Sequence, residues 1–173
     1  MAVGLREMVD PNVASAAADF VRYFVQRLEA SGVPVVTPAG GLAAHLDARR
    51  FVPHIPPTEY PAGALAAAVY LASGVRAMER GTLSMDRDQE GREVPSDLEL
   101  VRLAVPRRVY TLSQIEYTVD RLKWLYGKRD LIRGLQFVSE PPVLRFFFGR
   151  LRPLDDWAAR LAEAFEADCG PAV

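Results

Sequence analysis

A chain of 173 residues, half of them apolar, is long enough to bury a core and short enough to build it as one domain. Its formal net charge of −1 excludes the broad basic field of a nucleic-acid binder and the acidic excess of a disordered chain. The one cysteine, Cys169, excludes a disulfide scaffold and a cysteine zinc site, while the charged start Met1 to Asp10 and the short apolar runs argue against export and membrane insertion; a cytoplasmic, soluble protein is expected.

In chain order, Asn12 reads as the cap of a helix whose apolar positions Val13, Ala17, Phe20, Val21, Phe24, Val25 and Leu28 follow three- and four-residue steps. Gly32 and Pro34 end it. Val35-Val36 reads as a short strand, and Gly40-Gly41 as a turn before a second strand, Leu42 to Leu46, which suggests a hairpin. Pro53, Pro56, Pro57 and Pro61, in the segment from Phe51 to Pro61, forbid a regular ladder, so that stretch is an ordered loop. Gly63 to Ala72, rich in Ala and Leu, is expected as a buried helix stopped by Gly74, with Val75 to Met78 extended behind it.

Residues 86 to 97 are polar and contain Gly91 and Pro95, a loop leading into the apolar run Leu98 to Val105, which reads as a buried strand. Thr111 with Gln114 forms a capping-box pattern, and Ile115, Val119, Leu122 and Leu125 place an apolar stripe on the helix that follows. Gly134 to Glu140 is a further strand. Asp155 or Asp156 then caps a terminal helix with Trp157, Leu161 and Phe165 on one face and Gly170 beyond its end. These elements predict an α+β fold with a mixed sheet and packed helices.

Three stretches together carry a family resemblance. Leu98-Glu99-Leu100-Val101-Arg102-Leu103-Ala104-Val105-Pro106-Arg107-Arg108-Val109-Tyr110-Thr111 resembles the strand-and-turn signature of the β-eliminating lyases, the tyrosine phenol-lyase and tryptophanase family. Ser73 to Gly81 and Glu140 to Phe147 are similar to two further motifs of that family, in the same order and spacing, as is the softer match Gly40 to Phe51. The resemblance runs to about Leu154, and implies residues 1 to 154 as the small C-terminal domain of the aspartate-aminotransferase-like fold of pyridoxal-phosphate enzymes, with residues 155 to 173 as a helical extension. That extension docks on a partner chain or packs on its own domain. Arg80 and Phe146 resemble the phenol-lyase branch, since tryptophanases carry an aliphatic residue and a histidine there.

An arginine inside an apolar run must find an anion or remain a costly unpaired charge, and Arg102 is so placed between Val101 and Leu103. A guanidinium fork matches a carboxylate with two parallel hydrogen bonds. The alternative is an ion pair with an acid of its own domain; the resemblance implies the substrate α-carboxylate. It likewise implies that Arg80 approaches the ring of a phenolic substrate, and that Phe146 and Phe147 pack around that ring, against the plainer readings of a surface arginine and a hydrophobic core. Gln114 and Glu116 stand where the family shows histidine and aspartate, and Phe148 and Gly149 where it shows threonine and alanine. Arg107 and Arg108 are expected to pair with acids. His45, one of two histidines, reads as a strand or core residue, and neither it nor His54 has the neighbours of a triad or metal centre.

Chemistry of this class needs pyridoxal phosphate held by a lysine Schiff base. The only lysines, Lys123 and Lys128, lack the family's sequence context, and no Gly-rich phosphate cradle is present. No catalytic or cofactor-binding residue is therefore expected in this chain. The resemblance implies a small subunit of a split lyase, inactive alone, that supplies substrate contacts while a large partner chain in a hetero-oligomer carries the pyridoxal phosphate. The alternative is a non-catalytic amino-acid-binding or scaffolding remnant.

Overall fold

Two helices open the computed structural model, which describes residues 2–106 and 108–170. Helix α1 (Ala2–Met8) buries no side chain. Helix α2 (Pro11–Ala30) is capped by Asp10 rather than Asn12: the Asp10 carboxylate accepts the Asn12 N–H at 2.9 Å, and Pro11 sits in the first turn, where its missing N–H costs nothing. Val21, Phe24, Val25 and Leu28 are the buried part of its expected stripe. The earlier positions, Val13, Ala17 and Phe20, are only half-buried, so α2 meets the core with its second half.

Strand β1 (Ala43–Asp47) runs directly into the one-turn helix α3 (Ala48–Phe51), capped by Asp47, which accepts the Arg50 N–H at 3.1 Å. The expected strand at Val35-Val36 is reduced to a single antiparallel bridge between Val35 and Leu46. The proline-rich connection that follows holds one 3-10 turn, Pro57–Glu59. Helix α4 (Pro61–Ser73) lies where expected, with Gly74 ending it at φ 69°, a left-handed conformation that suits glycine. The extended stretch beyond it is displaced: β2 is Met78–Arg80, not Val75 to Met78.

Strand β3 (Leu100–Ala104) pairs with both earlier strands, giving the order β1-β3-β2. Both pairings are antiparallel, which corrects the expectation of a mixed sheet. Nor is β3 buried on both faces. Val101 and Leu103 point into the core, beneath α2 and α4, while Leu100 and Arg102 are half-exposed and Ala104 is exposed.

Helix α5 (Leu112–Gly127) begins with the predicted capping box: the Thr111 hydroxyl accepts the Gln114 N–H, and Gln114 Oε1 accepts the Thr111 N–H at 2.8 Å. Strand β4 (Leu135–Ser139) does not join the first sheet. After the one-turn helix α6 (Arg145–Phe148) it pairs with β5 (Arg150–Pro153), a strand the sequence pattern does not announce. Helix α7 (Trp157–Cys169) packs on α4 of its own domain with Trp157 and Leu161 fully buried, so of its two expected placements the structure takes the inward one. Among the described residues no helix is long and apolar enough to cross a membrane. The observed class is α+β, as the sequence pattern predicts.

Candidate functional site

Antiparallel register sorts the residues of the first sheet by face. Side chains directly opposite one another share a side, so His45, Arg102 and Met78 form one row across the three strands, and Leu46, Val101 and Glu79 form the next row on the other side. The second row faces the core. The first is open, and it places the Arg102 guanidinium on a partly exposed apolar surface. Among the described residues Arg102 has no ion pair, so the carboxylate that a half-buried arginine requires is not supplied by the chain's own acids.

Arg102 lines a groove of about 630 Å³ along the β2 edge of the sheet, together with Met78, Phe146, Phe147 and Leu151. α6 delivers the two phenylalanines. Their rings meet edge to face at 81°, with centroids 5.0 Å apart. Phe146 also packs against the core, whereas Phe147 is 69% exposed with no such support. The plainer reading therefore fits Phe146 in part and Phe147 not at all.

Arg80 is exposed at the end of β2, on the same face as Arg102 and one diagonal step from it, but it does not line the groove. His45, which sequence reading treated as a strand or core residue, is the immediate neighbour of Arg102. Burial, and then the charge of Arg102, push its imidazole below the usual histidine range and favour the neutral ring. No local signal marks His45, because its position depends on the β1-β3 pairing.

Sequence reading also missed Arg145. The argument applied to Arg102, an arginine inside an apolar run, applies equally to Leu144-Arg145-Phe146, and here the internal ion pair prevails. Arg145 is 1% exposed. Its Nε donates to the Met85 carbonyl at 2.5 Å and its terminal nitrogens to the Thr82 carbonyl at 2.9 Å, to Glu140 at 2.8 Å and to Glu93. The rings of Tyr60 and Phe137 lie 5.6 and 5.5 Å from the guanidinium carbon. Burial works against its charge, but Glu93 and Glu140 more than offset that and raise its proton affinity. Burial and the hydrogen bond to Glu93 push the Tyr60 phenol up to about 12. The cluster fixes α6, and with it Phe146 and Phe147, against the loop ahead of β3.

Gln114 and Glu116 take structural roles. Gln114 is consumed by the capping box, and Glu116 ties α5 to α2 by a two-pronged ion pair with Arg27, at 2.9 and 2.8 Å, and a hydrogen bond from the Tyr23 hydroxyl. Arg108 has no ion pair among the described residues, contrary to expectation; it occupies a left-handed backbone position (φ 61°) and is exposed to solvent. Arg107 lies outside the described residues. Lys128 pairs with Asp168 at 2.9 Å and Lys123 is exposed on α5, so neither lines the groove. No group of three or more His, Cys, Asp or Glu residues is placed to hold a metal ion among the described residues.

No family model matches the chain. Individual relatives do. It is 50% identical over 155 residues to the tyrosine phenol-lyase of Symbiobacterium thermophilum, covering 89% of this chain and 34% of that protein. The tyrosine phenol-lyase of Intrasporangium calvum is 48% identical over 92% of the chain, and the tryptophanase of Hyphomonas neptunium 47% identical over 85%. The chain spans about a third of the length of the curated relatives it matches. With the α+β fold and the three motifs in register, these identities assign the chain to the tyrosine phenol-lyase and tryptophanase family, as a counterpart of its C-terminal domain.

Proposed function

We infer that this chain is the substrate-holding part of a pyridoxal-phosphate lyase for a tyrosine-like aromatic amino acid, with the cofactor carried by a separate, larger chain. The observation that carries the reading is Arg102: a half-buried guanidinium without an acid of its own, facing a groove walled by Phe146 and Phe147. Arg102 binds the substrate α-carboxylate with two charge-assisted hydrogen bonds. Phe146 and Phe147 receive the aromatic ring edge to face, as they already receive each other. Arg80, one diagonal step along the open sheet face, reaches the ring substituent, and with Phe146 it favours a phenolic substrate. The row His45, Arg102 and Met78 is the floor against which the amino-acid end is oriented.

The residues of this chain do not fit the cofactor itself. A Schiff base needs a free lysine at the groove, and Lys128 is held by Asp168 while Lys123 points from α5 into solvent. No chemical step through pyridoxal phosphate is assigned to this chain. The cofactor withdraws electrons from the substrate Cα when bound; this chain's part is binding and orientation, and the larger chain completes a hetero-oligomer.

Co-purification from the native host, with a visible-absorbance scan of the complex, tests the reading. A second chain bearing an internal-aldimine band that shifts with an aromatic amino acid is the expected result. A colourless preparation without a second chain, able to bind the amino acid alone, would instead identify a non-catalytic binding remnant.

A further inference from the structure

Glu79 occupies a core-facing position of an edge strand, where an ionised carboxylate is costly. Register puts it in the inner row with Leu46 and Val101, and it is 4% exposed. One oxygen accepts the Ser84 hydroxyl at 2.7 Å. The other, Oε1, is buried and has no hydrogen-bond partner. A second buried acid lies beside it. Glu99, 1% exposed, is fully engaged as an acceptor: Oε1 takes the Thr82 N–H at 2.8 Å and hydroxyl at 2.5 Å, and Oε2 takes the Ala62 N–H at 3.2 Å.

The two acids converge over Gly81. A Cβ built on that glycine would stand 2.2 Å from Glu99 Oε2 and 3.0 Å from Glu79 Oε1, so the space a side chain would fill is taken by carboxyl oxygens. Among the described residues no cation is paired with either acid. Helix α4 above it has no ionisable side chain except Tyr70, which is exposed, and the 3-10 turn Thr82–Ser84 brings only hydroxyls. Arg102 is on the opposite face of the sheet, Arg76 is exposed, and Arg145, which reaches the Thr82 carbonyl, is already matched by Glu93 and Glu140.

We propose that Glu79 holds its proton in the folded protein to higher pH than a free glutamate does, because it shares a buried site over Gly81 with the Glu99 carboxylate, and that this proton positions β2. Two buried like charges are thereby avoided, the usual outcome when two carboxylates share one site. Burial first, and then the neighbouring Glu99 charge, raise the Glu79 carboxyl above its ordinary value, against the pull of the Ser84 hydroxyl and the Gly81 and Ser84 N–H groups, which lower it. Glu79 stands between Met78 and Arg80 and lines the same groove as Met78 and Arg102, so the proton holds the groove rim as a positioning device.

Because the folded state retains a proton that the unfolded state releases above about 4.5, the usual glutamate value, the folding equilibrium weakens as pH rises from there toward the raised Glu79 value. Glu79→Gln keeps the neutral shape without the proton. The ratio of wild-type to E79Q folding constants should therefore fall by up to about tenfold per pH unit in that window, and amide exchange at Met78 to Arg80 should speed up in E79A but not in E79Q. In the wild type, isotope-edited infrared spectra recorded as the pH is raised past the ordinary glutamate value of about 4.5 should retain one protonated glutamate carboxyl band after the exposed carboxyls have lost theirs, a readout independent of whether any variant folds. Parallel pH profiles for wild type and E79Q, absence of that band, or a stability set by sodium or potassium instead of pH would each overturn the proposal.

Discussion

Two arginines stand in apolar runs of this chain, and their replacement should separate a structural role from a free one. In Arg145→Ala the lost contacts are two backbone carbonyls and the ion pairs with Glu93 and Glu140, all around a side chain 1% exposed. Breaking a buried ion pair from one side costs about 3–5 kcal/mol, because the remaining charge loses its partner without regaining water. Here the lower end applies. Glu140 keeps Arg87 at 2.8 Å, and Glu93 keeps Arg87 at 3.3 Å and the Tyr60 hydroxyl at 2.9 Å. A loss of about 3 kcal/mol lowers the melting temperature of a chain this size by roughly 6–12 °C. Arg102→Ala removes no internal ion pair and should cost less than about 1 kcal/mol. Thermal and urea unfolding followed by circular dichroism reads both. An Arg145→Ala protein that melts with the wild type, or an Arg102→Ala protein that loses as much, would refute the distinction.

That distinction also marks where the sequence stops being informative. Periodicity and local chemistry locate α2, α4, α5 and α7 and spell out the Thr111–Gln114 capping box, because those signals lie within a few residues of the structure they determine. The expected site residues Arg102, Phe146 and Phe147 do meet at one groove, and Arg80 stops short of it. What local pattern could not supply is partnership at long range. Nothing in Leu144-Arg145-Phe146 says that Glu93, 52 residues away, will neutralise that arginine while no acid reaches Arg102. β5 stayed invisible because Arg150 to Pro153 is only four residues long and closes on a proline, and is defined by its pairing with β4. β3 looked continuously buried because its exposed-face residues, Leu100 and Ala104, are themselves apolar.

Three further outcomes are expected. Trp157→Ala empties the largest fully buried side chain, whose indole N–H donates to the Gly134 carbonyl at 3.2 Å, and should cost about 3–5 kcal/mol in unfolding experiments; a small loss would mean that α7 is an appendage. Hydrogen bonds from Arg27, then Tyr23, hold the Glu116 carboxyl down to about 2. Its stabilisation is present above the ordinary value near 4.5 and lost as pH falls toward 2, so the melting-temperature gap between wild type and Glu116→Gln should close on acidification; a gap unchanged from pH 7 to pH 2 would contradict this. Phe147→Ala, at a side chain 69% exposed, should leave stability within about 0.5 kcal/mol while weakening capture of an aromatic amino acid, and equal affinities would remove Phe147 from the site.

Arg102, on the proposed reading, awaits a substrate carboxylate. Equilibrium titration with a tyrosine-like amino acid of the proposed complex between this chain and a pyridoxal-phosphate-carrying chain, comparing wild type with Arg102→Ala, addresses it most directly. Loss of a charge-assisted pair worth about 1.5–3 kcal/mol predicts roughly ten- to hundredfold weaker binding. An unchanged dissociation constant would contradict the account.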